Sequence, residues 1–122
     1  NLNKMPTLIA CLSTGKGTWG HVSKLIEDEP WTQVILITND FGKENFNKKE
    51  GVEFITVDAN KGLRELREEI QSSLKDKITD SEVAVNFISG TGKEHMALLS
   101  ALLKIGVGIR LIALTKEGIT EI

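Results

Sequence analysis

The stretch LIACLSTGKGTWG, residues 8–20, places an apolar run directly before a glycine-rich loop. Its first part, residues 8–12, is continuously apolar and bounded by Pro6 and by the loop, which predicts a strand buried on both faces. Thr18 then predicts the cap of a helix that extends to about Asp28. A buried strand, a glycine loop and a helix in that order are typical of an α/β fold with a parallel sheet.

The same order recurs near the other end of the chain, in VAVNFISGTGK at residues 83–93. Here a strand at 83–88 and a second Gly-Lys loop precede an unusually apolar helix from about Glu94 to Ile105. The rest of the chain predicts further strands at 34–38, 52–57 and 109–114, with a short helix or a loop at 41–50. An amphipathic helix is predicted from the spacing of Leu63, Leu66, Ile70, Leu74 and Ile78. The last segment, at 119–122, is predicted to pair as a hairpin.

Strands that alternate with helices predict an α/β, Rossmann-like doubly wound fold, with a mainly parallel sheet of about five to six strands and helices on both faces. In the common strand order, the first and fourth strands are neighbours at the switch point, so both glycine loops open into one crevice. We expect a single domain over residues 1–122, with residues 1–5 either a non-native remnant or disordered.

Composition narrows the possible partners. With 40% hydrophobic residues, 26% charged residues and a net charge of -2, the chain is expected to be soluble, without a basic bias towards duplex nucleic acid. It has no apolar stretch of membrane-spanning length, and its single cysteine, Cys11, suits the reducing cytoplasm. Two histidines and one cysteine lack the spacing of a zinc site, and we expect neither a metal nor a cofactor.

Each glycine loop offers backbone N–H groups at a helix N-terminus and adds a lysine, Lys16 or Lys93. Together these groups predict a site for an anionic, phosphate-bearing ligand. Tight turns and surface lysines alone would explain either loop separately, whereas two such loops at the switch point favour binding. Neither loop is a Walker A motif, because Ala10 and Phe87 stand where its first glycine is required.

Two other interpretations remain open. GKGTWG at residues 15–20 fits G-x-G-x-x-G, and Asp40 lies about twenty positions further on, as an NAD-type dinucleotide site requires. Against this, Ser13 and Thr14 intervene between the strand and the first glycine. The other interpretation is a non-enzymatic interaction or scaffold subunit, in which the loops only cap the fold.

A Ser-Thr-Gly loop after the first strand, FISGTGK at 87–93, the apolar helix from Met96 to Ile105 and a terminal strand pair together resemble the CARF domain. CARF stands for CRISPR-associated Rossmann fold. The resemblance covers nearly the whole chain from Leu8 and is most specific at Ser89 to Lys93. It implies a cytoplasmic homodimer in antiviral defence, whose loops from both subunits line a two-fold pocket for cyclic oligoadenylate, with the ring cut in some members.

The resemblance implies ligand binding by Ser13, Thr14, Gly15, Lys16, Gly90, Thr91, Gly92 and Lys93. The remaining candidate ligand-binding residues adjoin these in the two loops and their helices: Gly17, Thr18, Trp19, Ser89 and His95. Trp19 either stacks on an adenine or packs against the neighbouring helix. His21 and His95 are either acid–base groups or ordinary capping and surface residues.

For ring cleavage by attack of a ribose 2'-hydroxyl, the candidate catalytic residues are Lys93, Ser13 and Lys16. The lysines would stabilise the charge on the phosphorane, and Ser13 or Thr14 would hold the reacting groups in line, without a metal. The first loop lacks the Asn-Pro element of many family members. No winged-helix or nuclease domain follows, so we expect a stand-alone sensor or ring nuclease unless the chain is part of a longer protein.

The helix after Lys93 has more leucine and isoleucine than a helix buried on one side requires. It is either a dimer surface beside the pocket or a central helix covered within one subunit.

Overall fold

The structure is a computed structural model, and it describes residues 5–12, 15–47 and 49–122. Within these residues strands and helices alternate in the predicted order. Their bounds are β1 (Thr7–Cys11), α1 (Trp19–Asp28), β2 (Val34–Thr38), α2 (Asp40–Asn45), β3 (Val52–Thr56), α3 (Leu63–Lys75), β4 (Glu82–Asn86), α4 (Gly92–Ile105), β5 (Gly108–Thr115) and β6 (Gly118–Glu121).

The strands form one sheet in the order β3-β2-β1-β4-β5-β6. Strands β1 to β5 are parallel, and β6 pairs antiparallel with β5. In the centre, Ile9 of β1 lies opposite Ile35 of β2 on one side and Val85 of β4 on the other. The chain therefore switches direction between β1 and β4, and the Rossmann-like fold predicted from the sequence is confirmed.

Helices cover both faces of the sheet, as predicted. On one face, α3 and α4 pack over alternate strand residues such as Ile9 and Val85, with Ile70 and Leu102 fully buried. On the opposite face, α1 packs over residues such as Leu8, which shares its core with Leu25. Strand side chains alternate between the faces, so a continuously apolar strand such as β1 supplies both cores.

Some details of the elements differ from the sequence prediction, or settle what it left open, for local reasons. Helix α3 stops at Lys75, before Ile78, because the amides of Lys77 and Ile78 both donate to the carbonyl of Leu74 and close the last turn. For the segment at 41–50, the prediction left a short helix and a loop as alternatives, and the structure has the short helix α2 there. Its N-cap Asn39 accepts a hydrogen bond from the Gly42 amide at 2.9 Å. None of the helices in the described part of the chain is long and apolar enough to cross a membrane.

Candidate functional site

The first loop lies at the carboxyl end of β1. Its candidate residues Ser13 and Thr14 lie outside the described residues. Gly15, Lys16 and Gly17 are exposed, and a 3-10 turn over Lys16–Thr18 leads into α1. Thr18 takes the N-cap position of α1, which ends at Asp28 as predicted, but its side chain makes no capping hydrogen bond.

The third glycine of this loop, Gly20, does not play the structural part that a dinucleotide fingerprint gives it. In that fingerprint the third glycine permits close packing of the helix on the strand. A Cβ atom built at Gly20 meets nothing within 4 Å, and the same holds at Gly15 and Gly17. The loop geometry therefore does not favour the dinucleotide interpretation.

An aromatic cluster supports the first loop. Trp19 is buried and packs on Phe46, with 5.7 Å between ring centroids, and on Phe41 at 6.1 Å. Of the two predicted alternatives for Trp19, stacking on an adenine or packing against the neighbouring helix, the indole here packs within the fold. The Lys16 Nζ atom lies 5.7 Å from the ring centroids of both Trp19 and Phe41. Cation–π attraction to these two rings favours a position of the ammonium group beside them.

The second loop joins β4 to α4 and ends in a capping box. The Thr91 Oγ1 atom accepts from the Glu94 amide at 3.2 Å, and the Glu94 carboxylate accepts from the Thr91 amide at 2.8 Å. A helix N-terminus leaves four amides without partners inside the helix. The capping box satisfies two of them, and the other two belong to Gly92 and Lys93, both exposed.

The loop is fixed at Ser89 and Gly90. Gly90 has a φ of 109°, and a Cβ atom there would lie 2.9 Å from both the Cys11 Cβ and the His95 Nε2 atoms. The buried Ser89 accepts a hydrogen bond at its carbonyl from His95 Nε2 at 2.7 Å, and the His95 ring stacks on Phe87 with 4.8 Å between centroids. His95 thus holds the loop through the ring nitrogen that carries its proton.

The close approach of Gly90 to Cys11 brings the second loop against the end of β1. The first loop begins after Leu12, the residue that follows β1, so the two loops leave adjacent strands at the same edge of the sheet, where the fold is expected to form a crevice. Burial, with a smaller contribution from the Glu94 carboxylate, raises the pKa of the Cys11 thiol. Cys11 is therefore a neutral packing residue at the floor of the crevice.

A third loop, which the sequence analysis did not include, also borders the site. The Lys93 Nζ atom donates to the carbonyl of Ala59, in the connection between β3 and α3, at 2.9 Å. Beside this connection, at the carboxyl ends of β2 and β3, is a cavity of about 470 Å³ lined by Asn39, Asp40, Phe41, Thr56, Val57 and Asp58. The signal available in the sequence was Asp58, a polar residue directly after a predicted strand.

Asn86 was also missed. It is buried at the end of β4, and its side-chain nitrogen lies 3.2 Å from His21 Nε2 and donates to the Ile112 carbonyl at 2.9 Å. Burial lowers the pKa of His21. The signal for Asn86 was one amide inside the apolar run VAVNFI. The described residues contain no group of three or more His, Cys, Asp or Glu side chains that could hold a metal ion.

Comparison with known proteins shows what this fold is similar to. No family model and no curated protein matches the sequence. Among solved structures, Enterococcus italicus Csm6 bound to cyclic hexa-2'-fluoro-hexa-dAMP is similar over 92% of this chain, with a TM-score of 0.61 and 14% identity. Csm6 is a CARF-domain protein, so the CARF-like fold that the sequence suggested is confirmed. The similar region is 34% of the Csm6 chain, about a third of its length.

Proposed function

We propose that this chain binds a cyclic oligoadenylate as a homodimeric sensor of a cytoplasmic CRISPR antiviral system. The observation that carries the proposal is that the two Gly-Lys loops follow β1 and β4, the adjacent strands at the switch point, with Gly90 packed against Cys11 at the end of β1. The fold supports it, because it is shared with a protein solved with a cyclic hexanucleotide.

The second loop has the chemistry that a phosphodiester needs. The exposed amides of Gly92 and Lys93 open the 14-residue helix α4, whose dipole places partial positive charge at this end. The Lys93 side chain adds a full charge, and Lys16, in the loop after the neighbouring strand β1, would add another. Because the whole chain has a net charge of -2, attraction for a polyanionic ring must come from such local groups.

Helix α4 supports the dimer. Its inner face is buried, while Met96, Leu99 and Leu103 on its outer face are 61%, 38% and 65% exposed. A second copy of the chain packed on this face would cover these side chains and bring two sets of loops together. A ring of identical nucleotides suits such a two-fold site, since each loop is used twice.

Ring cleavage is the finer part of the proposal. The 2'-oxygen of one ribose would form a bond to the adjacent phosphorus while the bond to the 5'-oxygen breaks, and the proton of the 2'-hydroxyl would pass through water to the 5'-oxygen, giving a 2',3'-cyclic phosphate and a 5'-hydroxyl. Lys93 and Lys16 would stabilise the negative charge on the phosphorane, with Ser13 holding the reacting groups in line. For this role the Lys93 ammonium would exchange its bond to the Ala59 carbonyl for a phosphate oxygen.

The test is a melting-temperature and chromatography assay of the purified protein with cyclic tetra- and hexa-adenylate, with NAD as the control ligand. We expect stabilisation by one ring size, and linear products if the ring is cut. Stabilisation by NAD alone would instead support the dinucleotide interpretation. No response to any of the three ligands would support the scaffold interpretation.

Matched variants locate the site. Lys93→Ala and Lys16→Ala should each weaken oligoadenylate binding by at least about tenfold, as loss of a charge-assisted hydrogen bond does. Lys104→Ala, at the other end of α4, and Lys24→Ala, further along α1, should bind like the parent protein. Parent-like binding by Lys93→Ala would show that the second loop is not the phosphate site.

A further inference from the structure

A polar network connects α1 with the second loop. His21, in the first turn of α1, has its Nε2 atom 3.2 Å from the Asn86 side-chain nitrogen and 3.3 Å from the Leu114 amide nitrogen. Asn86 also donates to the Ile112 carbonyl at 2.9 Å, and its Oδ1 atom accepts from the Ile88 amide at 3.1 Å. Asn86 is 3% exposed, so water cannot readily replace these partners.

The donors and acceptors in this network fix its protonation. A backbone amide only donates, so the Leu114 amide requires a lone pair on His21 Nε2, and the imidazole proton must lie on Nδ1. The same argument fixes the orientation of the Asn86 side-chain amide. Its nitrogen must face the Ile112 carbonyl, which only accepts, and its oxygen must face the Ile88 amide, which only donates. A proton on Nε2 would face two N–H groups, so the network exists only with neutral His21.

The network joins the helix that follows the first loop to the residue that precedes the second loop. Helix α1 begins directly after the first loop, and Ile88 is the residue before Ser89, which His95 holds from the other side. We propose that His21 is a positioning residue: through Asn86 it fixes the start of the second loop relative to α1, so that both loops face one ligand. This inference rests on the proposed function for the identity of the ligand.

If His21 positions the second loop in this way, ligand binding depends on pH. Burial lowers the pKa of His21 below its ordinary value of 6.5, so the network is complete at neutral pH and is lost as the pH falls through that lowered pKa. Charged side chains of the elements that pack around His21 form ion pairs with other residues: Lys24 with Asp28, Glu27 with Lys49, and Arg110 with Glu82 and Glu121.

The test compares the parent protein with His21→Gln and His21→Ala. A glutamine oxygen accepts hydrogen bonds but does not titrate near neutral pH. Parent affinity for the cyclic oligoadenylate should fall at least about tenfold from pH 8 to a pH below the His21 pKa that nuclear magnetic resonance measures in the same protein. His21→Gln should keep the pH 8 affinity within about threefold and lose this dependence, whereas His21→Ala should bind weakly at both pH values. A parent-like pH profile in His21→Gln, or parent-like binding by His21→Ala, would overturn the inference.

Nuclear magnetic resonance separates this inference from the proposed function. Without ligand, the imidazole nitrogen shifts of the parent should report the Nδ1–H tautomer, and the Ile88 and Gly90 amide shifts should follow the titration of His21. In His21→Gln those amide shifts should lose that titration. An Nε2–H tautomer, or amide shifts that do not follow His21, would refute the positioning role. If the parent protein binds no oligoadenylate at pH 8, the proposed function fails, and these shifts still decide the role of His21.

Discussion

At the scale of single residues, Gly90 is where the backbone most strictly limits the side chain. Its φ of 109° lies in a region that residues with a Cβ rarely adopt. The space is also taken, since a Cβ atom would lie 2.9 Å from the Cys11 Cβ atom in the floor of the crevice. Glycine at this position therefore serves the fold as well as the proposed ligand.

Gly90→Ala should accordingly lower the free energy of unfolding by about 2 to 4 kcal/mol, from backbone strain together with overpacking. Gly92→Ala is the matched control, because a Cβ atom there meets nothing within 4 Å and φ is not positive. Urea denaturation of both variants measures the difference. Equal midpoints would mean that the loop adjusts to a side chain at Gly90 at little cost.

His21 gives stability a pH dependence as well. Its pKa is lower in the folded chain than in the unfolded chain, so the unfolded chain binds more protons between the two values. Stability from this group is complete above pH 6.5 and decreases as the pH falls through the lowered folded pKa. We expect the melting temperature to fall less steeply with acid in His21→Gln than in the parent protein. Parallel curves from pH 8 to pH 5 would contradict this assignment.

At the scale of secondary-structure elements, the two helices that open onto the crevice begin differently. Helix α4 has a reciprocal capping box between Thr91 and Glu94, whereas Thr18 at α1 makes no side-chain capping bond. Thr91→Ala should therefore cost about 1 kcal/mol of stability, and Thr18→Ala much less. Chemical denaturation of the two variants provides the comparison, and equal losses would argue against the capping box.

The order of strands and helices was predictable because apolar residues recur along this chain at the regular spacings of each. The bounds of β2 match the prediction. The start of α4 has a recognisable sequence signal, since Thr91 and Glu94 have the spacing of a capping box. Strand β4 ends earlier than the apolar run suggests, because the Asn86 side chain accepts from the Ile88 amide and turns the chain. Local sequence therefore predicts where elements occur better than where they stop.

Sequence pattern and topology predict the position of the candidate site but not the contacts of its residues. Glycine loops and strand order place two loops at the switch point, and that follows from sequence pattern and topology. The bond of Lys93 to Ala59 and that of His21 to Asn86 join residues 34 and 65 positions apart. Such pairs depend on how distant segments align in space, which hydrophobic periodicity does not specify.

At the scale of the whole molecule, the apolar outer face of α4 is difficult to explain for an isolated subunit. A side chain such as Leu103, 65% exposed beside the equally apolar Met96 and Leu99, gains little by facing water. Burial against a second copy would account for this face and would complete a two-fold site. The oligomeric state and ligand binding should therefore change together.

Leu103→Glu should convert the dimer to a monomer in sedimentation velocity, because a symmetric interface would bury two unpaired carboxylates. Phe41→Glu introduces a carboxylate at a side chain that is 41% exposed and packs beside Trp19, on the opposite face of the sheet, and it should leave the dimer intact. Both variants should keep the parent far-ultraviolet circular dichroism spectrum. The monomeric variant should also lose most of its affinity for cyclic oligoadenylate, since each subunit supplies only half of the loops. If Leu103→Glu remains a dimer, α4 is not the interface, and if the monomer binds the ring as tightly as the parent, the two-fold site is wrong.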